Sequence, residues 1–185
     1  MSIKEQANWV GMFCALFFAV ELLNFFSARS LSSFGIIPRD IASLWHIFTA
    51  PFIHGSFSHF ASNIITLAIF SVLLFQYGRQ RFVLITILLI VITGILVWLF
   101  GRRASHIGAS GLLYGYFGYL VIAGFLSKSI RQLLISILVG FFYISLLWGV
   151  FPVQARISWE SHLFGLLSGI ILAYLLRPRS AHNAY

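Results

Sequence analysis

Ser110, framed as Gly108-Ala109-Ser110-Gly111, stands where one long apolar run ends and the next begins. A serine at a helix start sits beside backbone N–H groups that have no helical partner. A hydroxyl next to such donors suits acyl transfer, in which a nucleophile attacks a carbonyl and N–H groups receive the oxyanion. Two further polar groupings also open apolar runs: His54 to Asn63, and Ser161-His162. His162 could supply the imidazole base. His59 and Asn63, four residues apart, project from one helix face and offer side-chain donors that could complete an oxyanion hole with the Ser110 amide. Tyr114, four residues after Ser110, shares its face and could stack on His162 without any acidic third member.

These groups need elements that bring three helix starts together. Gly111, Gly115 and Gly118 form a bare stripe below Ser110, and Gly165 and Gly169 form one below His162. Small-residue stripes let two helices in a membrane approach closely. The composition agrees with a membrane setting: 60% of the 185 residues are hydrophobic and 9% charged, too few to coat a soluble globule. The net charge of +8 is spread singly or in pairs between apolar runs, which reads as topology signals and lipid-headgroup contact and not as a nucleic-acid surface. Cys14 is the single cysteine, so an intrachain disulfide or cysteine cluster is excluded.

Six spans are expected, at Trp9–Phe26, 59–76, 82–100, 110–126, 132–148 and 161–176, making one all-α membrane domain over 1–185. Residues 28–58 are too broken by Gly35, Pro38, Arg39, Asp40 and Pro51 to span, and read as a loop lying in the interface. The tail from 177 to 185 is short and reads as frayed. An even number of helices puts both termini on one side. With the N-terminus inside, seven Lys and Arg face the cytoplasm (Lys4, Arg79, Arg81, Lys128, Arg131, Arg177, Arg179) against five outside (Arg29, Arg39, Arg102, Arg103, Arg156), favouring cytoplasmic termini. The polar groupings open helices two, four and six, which start on the same side whatever the orientation. Asn63, Ser110 and His162 therefore share one face and similar depth.

Taken singly, each residue has an ordinary explanation. A membrane serine usually bonds to backbone, His59 and Asn63 can be interhelical glue, and His162 can be a capping residue. The joint arrangement favours chemistry. A metal reading would gather His54, His59, His106 and His162. It lacks a carboxylate to activate water apart from Glu160, and it leaves the glycine-framed serine without a purpose.

The stretch His54-Gly-Ser-Phe-Ser-His59-Phe-Ala-Ser-Asn63, followed by Gly108-Ala-Ser110-Gly111 with Tyr114 and by His162-Leu-Phe-Gly165, resembles the rhomboid family of intramembrane serine proteases. The resemblance covers essentially the whole six-helix chain. It implies Ser110 as nucleophile, His162 as general base, His59 and Asn63 as oxyanion donors and Tyr114 under the imidazole, with Gly111, Gly165 and His54 in support. It also implies cleavage of membrane-anchored proteins in or beside their transmembrane segment, in a bacterial inner membrane, with no metal or other cofactor and no nucleic acid. Two departures are visible: Trp45-His46 where many bacterial members have Trp-Arg, and Phe164-Gly165 where a glycine pair is common. Helix five and the following loop, Trp148 to Ser158, are the expected substrate gate. The rival within the family is a protein that holds membrane clients without cutting them. A small transporter is the rival outside it, and of the ionisable residues only Glu21 approaches the mid-depth position that such a path would use.

Overall fold

Helices α1 (Ile3–Phe26), α2 (Phe57–Leu74), α3 (Arg79–Phe100), α4 (Ser110–Phe125), α5 (Ile130–Phe142) and α6 (Trp159–Leu175) carry the chain in a computed structural model that describes residues 2–152 and 157–177. Among the described residues there is no strand; a single antiparallel bridge joins Ile36 to His106. The expected frayed tail, beyond Arg177, lies outside the described residues.

α4 is the central helix, buried on nearly every side, and its closest partner is α6. The glycine stripes explain the approach. A β-carbon on Gly165 would stand 2.1 Å from the Gly111 carbonyl oxygen, and one on Gly169 would stand 2.0 Å from that of Gly115. Backbone therefore lies on backbone, and no other residue fits. α1, α2 with its 3-10 extension to Tyr77, and α3 are each long and apolar enough to cross a membrane. α4 and α6 are shorter, with 16 and 17 residues. At 1.5 Å per residue α4 spans about 24 Å of a roughly 30 Å hydrocarbon core, so its first residue can lie below the membrane surface. Around this pair the outer helices present Met12, Phe18, Ile65, Ile87, Leu138 and Phe141 outward, as lipid contact requires.

Two elements differ from expectation. α1 begins at Ile3, well before Trp9, because Ser2 and Glu5 form a capping box: Glu5 N–H donates to Ser2 Oγ at 3.2 Å and Ser2 N–H to Glu5 Oε2 at 2.7 Å. The straight span expected over 132–148 is corrected to a broken one. α5 ends at Phe142, and a 3-10 turn, Ile144–Val150, leaves it at 60°. Ser136 ties α5 to α4, accepting from Gly124 N–H at 2.9 Å and donating to the Leu120 carbonyl at 2.5 Å. Tyr143, at the break, packs edge-on against Phe70 of α2 with ring centres 4.7 Å apart, which turns the chain inward.

The first loop folds into three 3-10 turns, Ser30–Phe34, Ile41–Phe48 and Ala50–Phe52. Its polar backbone is satisfied by neighbours, as a segment at membrane depth requires. Arg39 donates to the Leu99 and Gly101 carbonyls at 3.0 and 2.9 Å, and Trp98 Nε1 to the Asp40 carbonyl at 2.8 Å. His46 bonds through Nδ1 to the Gly35 carbonyl at 2.7 Å. The end of the loop is held from α1 and the turn after it: the His54 carbonyl accepts from Asn24 Nδ2 at 2.9 Å and from Arg29 at 3.1 Å, and Arg29 pairs with buried Glu21 of α1 at 2.7 Å. Glu21 thus anchors a loop. The His54 ring continues the chain of contacts, accepting from Ala109 N–H through Nε2 at 3.3 Å.

The glycine contacts lead to a graded expectation. Gly165→Ala and Gly169→Ala should each lower stability by about 1 to 3 kcal/mol, because main-chain atoms cannot yield. Gly11→Ala, with nothing within 4 Å of the new methyl, should be neutral or stabilising by up to ~1 kcal/mol. Thermal unfolding in detergent checks the series, and equal effects at all three positions would contradict the backbone contact.

His54 generates a second expectation. Burial, reinforced by the neighbouring His59 and only partly offset by the Phe52 carbonyl, pushes its ring down to about 3 from 6.5. The unfolded chain therefore binds the extra proton between those values. The stabilisation is whole above pH 6.5 and is lost as pH falls toward 3. Stability should fall by up to ~1.4 kcal/mol per pH unit as the medium is acidified below neutrality, and His54→Gln should flatten that slope. Unfolding midpoints read at a series of pH values decide it; an unchanged slope in His54→Gln would assign the acid sensitivity elsewhere.

Candidate active site

Gly108 turns the chain into α4 with φ +113°, a conformation that only glycine adopts without strain. A β-carbon there would also stand 2.9 Å from Cε1 of His59, so the α2 imidazole lies directly against this turn. The Gly108 N–H donates to the Ala50 carbonyl at 2.9 Å and Ala109 N–H to His54, which fixes the turn from two sides. Ser110 follows as the first helical residue. Leu113 is the first to bond back, to the Ala109 carbonyl at 2.9 Å, which leaves the Ser110 and Gly111 N–H groups without helical partners.

Ser110 is buried to 6% exposure, yet its Oγ bonds to nothing and keeps a small accessible surface. His162, in the first turn of α6, is brought alongside by the glycine contacts: a β-carbon on Gly111 would lie 3.4 Å from the Ser161 carbonyl, one residue before the imidazole. The imidazole lies flat on Tyr114, with ring centres 4.1 Å apart and planes inclined by 4°. Its Nδ1 bonds to the Gly149 carbonyl at 2.8 Å. A carbonyl only accepts, so Nδ1 carries the proton and Nε2 presents a lone pair, the form a general base needs. No Ser110 Oγ to His162 Nε2 hydrogen bond is formed, a looseness common before substrate binds.

The other expected residues fall at the same end. Asn63 is buried, and its Nδ2 has no partner. A buried donor left unbonded costs about 1 to 3 kcal/mol, so it is a group with an unused capacity to bind an oxygen. His59 is half-buried, its ring edge-on to that of His54 at 5.2 Å. Glu160 makes no hydrogen bond to the imidazole: its Oε1 accepts from Arg102 N–H at 3.2 Å, with the guanidinium 3.6 Å away. His106 is tied by Nε2 to the Arg102 carbonyl at 3.0 Å and by Nδ1 to Ser158 Oγ at 2.5 Å, and Ser158 meets Ser161 Oγ at 2.6 Å. Burial holds His106 below the ordinary histidine range, so it stays neutral and accepts from Ser158 while donating to Arg102. This relay pins the 101–109 loop to the start of α6. Among the described residues no three His, Cys, Asp or Glu side chains converge on a metal position. Of the expected gate, Trp148 to Ser158, residues 153–156 lie outside those described.

Residues that the sequence does not single out are the Gly149 carbonyl, the Ser158–His106 relay and the group of Glu21 and Asn24 of α1 with Arg29 just beyond it. Glu21 and Asn24, as polar residues inside an apolar run, carried a signal for the last of these. A backbone acceptor carries none.

The chain matches the Rhomboid domain over residues 42–179. It is 34% identical over 173 residues to an uncharacterized protein of Mycobacterium tuberculosis, covering 89% of this chain and 72% of that protein. An uncharacterized protein of Mycobacterium leprae is 35% identical over 173 residues, covering 89% and 68%. Rhomboid-like protein 11, chloroplastic, of Arabidopsis thaliana is 27% identical over 190 residues, covering 94% and 67%. The apolar helices make it a multi-pass membrane protein, and the match across most of its length means that the chain belongs to the rhomboid family.

Proposed function

We propose that the protein is an intramembrane serine endopeptidase that cuts membrane-anchored proteins within or next to their transmembrane segment. The observation that carries this reading is the oriented imidazole: His162 stacked on Tyr114, protonated at Nδ1 toward Gly149, with Nε2 free at the end of the helix pair that also begins with Ser110. In this reading Nε2 takes the Ser110 proton as Oγ attacks the substrate carbonyl. The oxyanion is received by the Ser110 N–H, Asn63 Nδ2 and the His59 ring. His162 then gives its proton to the departing amine, and water releases the acyl group by the same steps in reverse order of roles. No metal or cofactor takes part. A helical substrate hides its carbonyls in its own hydrogen bonds, so it must unwind locally, which favours small or helix-breaking residues near the membrane surface.

One observation favours a second reading. The absent Ser110–His162 hydrogen bond would suit a family member that holds membrane clients without cutting them. A fluorophosphonate probe separates the two, since it reacts with a serine that a base has activated. Labelling at Ser110 is expected in the folded protein, none in Ser110→Ala, and strong loss in His162→Ala. Ser110→Ala should shift stability by less than about 1 kcal/mol. Cleavage of a generic transmembrane substrate should fall by about 10² to 10³ in Asn63→Ala and in His59→Ala if each is an unreplaced oxyanion donor. Full activity in the double variant would move the oxyanion hole elsewhere, and an unlabelled wild type would favour the client binder.

The charge distribution of seven inner against five outer cations supports both termini in the cytoplasm, and mycobacterial relatives support a bacterial inner membrane. Reporter fusions after Arg177 and within Arg79–Arg81 should report cytoplasm, and one within 101–109 the opposite side. A split between the first two would break the shared-face arrangement.

A further inference from the structure

We infer that Gly149 is the positioning residue of the base: its carbonyl fixes the tautomer of His162, so the Ile144–Val150 turn must be seated over the dyad for Ser110 to be activated. The inference rests on reading His162 as the base. Among the described residues the Gly149 carbonyl is the one hydrogen-bond partner of the imidazole. Glu160, the acid nearest in sequence, is committed to Arg102. The Tyr114 stack fixes the plane of the ring but is indifferent to a 180° flip about Cβ–Cγ, which would put Cδ2 and Cε1 where Nδ1 and Nε2 stand, and to which nitrogen carries the proton. The bond at Nδ1 removes that freedom. Stack and carbonyl therefore divide the work that a carboxylate does in a three-membered site.

The approach also requires glycine. A β-carbon on residue 149 would stand 1.9 Å from Tyr114 Oη and 3.1 Å from His162 Nδ1. The segment that carries this carbonyl is lightly held. α5 is fastened to α4 through Ser136 and Gly124, but beyond the 60° break no residue of Ile144–Val150 is buried, and Ile144 and Trp148 are 59% and 73% exposed. Displacing the turn to admit a substrate takes the carbonyl off Nδ1, and the base regains its tautomer when the turn returns. Access and activation are thereby made successive.

The test is to read the tautomer and the chemistry separately. In protein carrying 15N-labelled histidine, the His162 signals, identified by their loss in His162→Gln, should be those of an Nδ1–H imidazole at neutral pH. Gly149→Ala should give mixed tautomers and slow fluorophosphonate labelling by about 10²-fold, the lower range of a general base's contribution. Removing the obstructing hydroxyl should restore much of this, so Gly149→Ala with Tyr114→Phe should label at least about tenfold faster than Gly149→Ala alone. An Nε2–H imidazole in a wild type that labels normally would overturn the role of Gly149 and leave the protease reading intact. An Nδ1–H imidazole in a wild type that never labels would bring down the base assignment, and this role with it. Wild-type labelling in Gly149→Ala would show that the carbonyl is dispensable, and the wild-type tautomer decides the matter should that variant fail to fold.

Discussion

The contact on which the structure depends is main chain against main chain between α4 and α6. In lipid, helices gain little from burying apolar surface, because the alternative neighbour is equally apolar; close packing must supply the association. Gly111 against Gly165 and Gly115 against Gly169 bring the two axes to a separation that side chains would forbid. Residues at the ends of those stripes are then brought to one end of the helix pair without a hydrogen bond between them. Ser110 precedes the first stripe and His162 precedes the second, so the polarity of the site is a by-product of where the stripes begin. Phe164 lies beside the contact and packs toward Phe100 at 6.2 Å, which leaves the Gly165 approach unobstructed.

A short central helix pair imposes a second constraint. Since α4 cannot cross the whole hydrocarbon layer, non-helical chain must cover its start at a depth where unpaired backbone is costly. The first loop meets this with donors from several sides: Asn24 of α1 and Arg29 just beyond it to the His54 carbonyl, Trp98 of α3 to the Asp40 carbonyl, and the bridge to His106. The ion pair of Glu21 and Arg29 belongs to the same arrangement. An uncompensated carboxylate inside α1 would be expensive, and its partner is the very residue that holds the His54 carbonyl. From α1 through His54 to the Ala109 amide, a hydrogen-bonded path sets the position of the turn that presents Ser110.

Much of this was legible in the sequence, for physical reasons that also mark its limit. Glycine spacing encodes backbone approach directly, and helix parity by itself requires the openings of α2, α4 and α6 to share one face. Boundaries set by caps are legible too: the Ser2–Glu5 box starts α1 at Ile3, ahead of the apolar run from Trp9 that hydropathy alone marks. The break in α5 was hidden, since no proline marks it and its apolar run continues to Val150. It arises from tertiary contacts, the Ser136 clamp and the Tyr143–Phe70 packing, which composition does not announce. The Gly149 carbonyl was hidden more thoroughly, because every residue has a carbonyl and only the fold selects one.

That break has a consequence for how the family's fold can work in this chain. A continuous fifth helix, packed along its length, could open a path to the dyad only by tilting as a unit, and the Gly124–Ser136 contact opposes this: a β-carbon on Gly124 would stand 2.1 Å from Ser136 Oγ and 2.1 Å from the Gln132 carbonyl. With the helix divided at Phe142, the tight half can stay in place while the exposed half moves. The energy opposing that motion is a few partly buried side chains, with Leu146 and Val150 on the core, and one hydrogen bond to an imidazole. Net, such a bond is worth about 0.5 to 1.5 kcal/mol. On the proposed function, the packing of a transmembrane substrate would have to offset this bond together with those side-chain contacts, and the bond is specific enough to decide which nitrogen of His162 carries the proton. Mobility and catalytic order are thus reconciled by putting the orienting group on the movable half of α5 and the glycine contacts on the fixed pair.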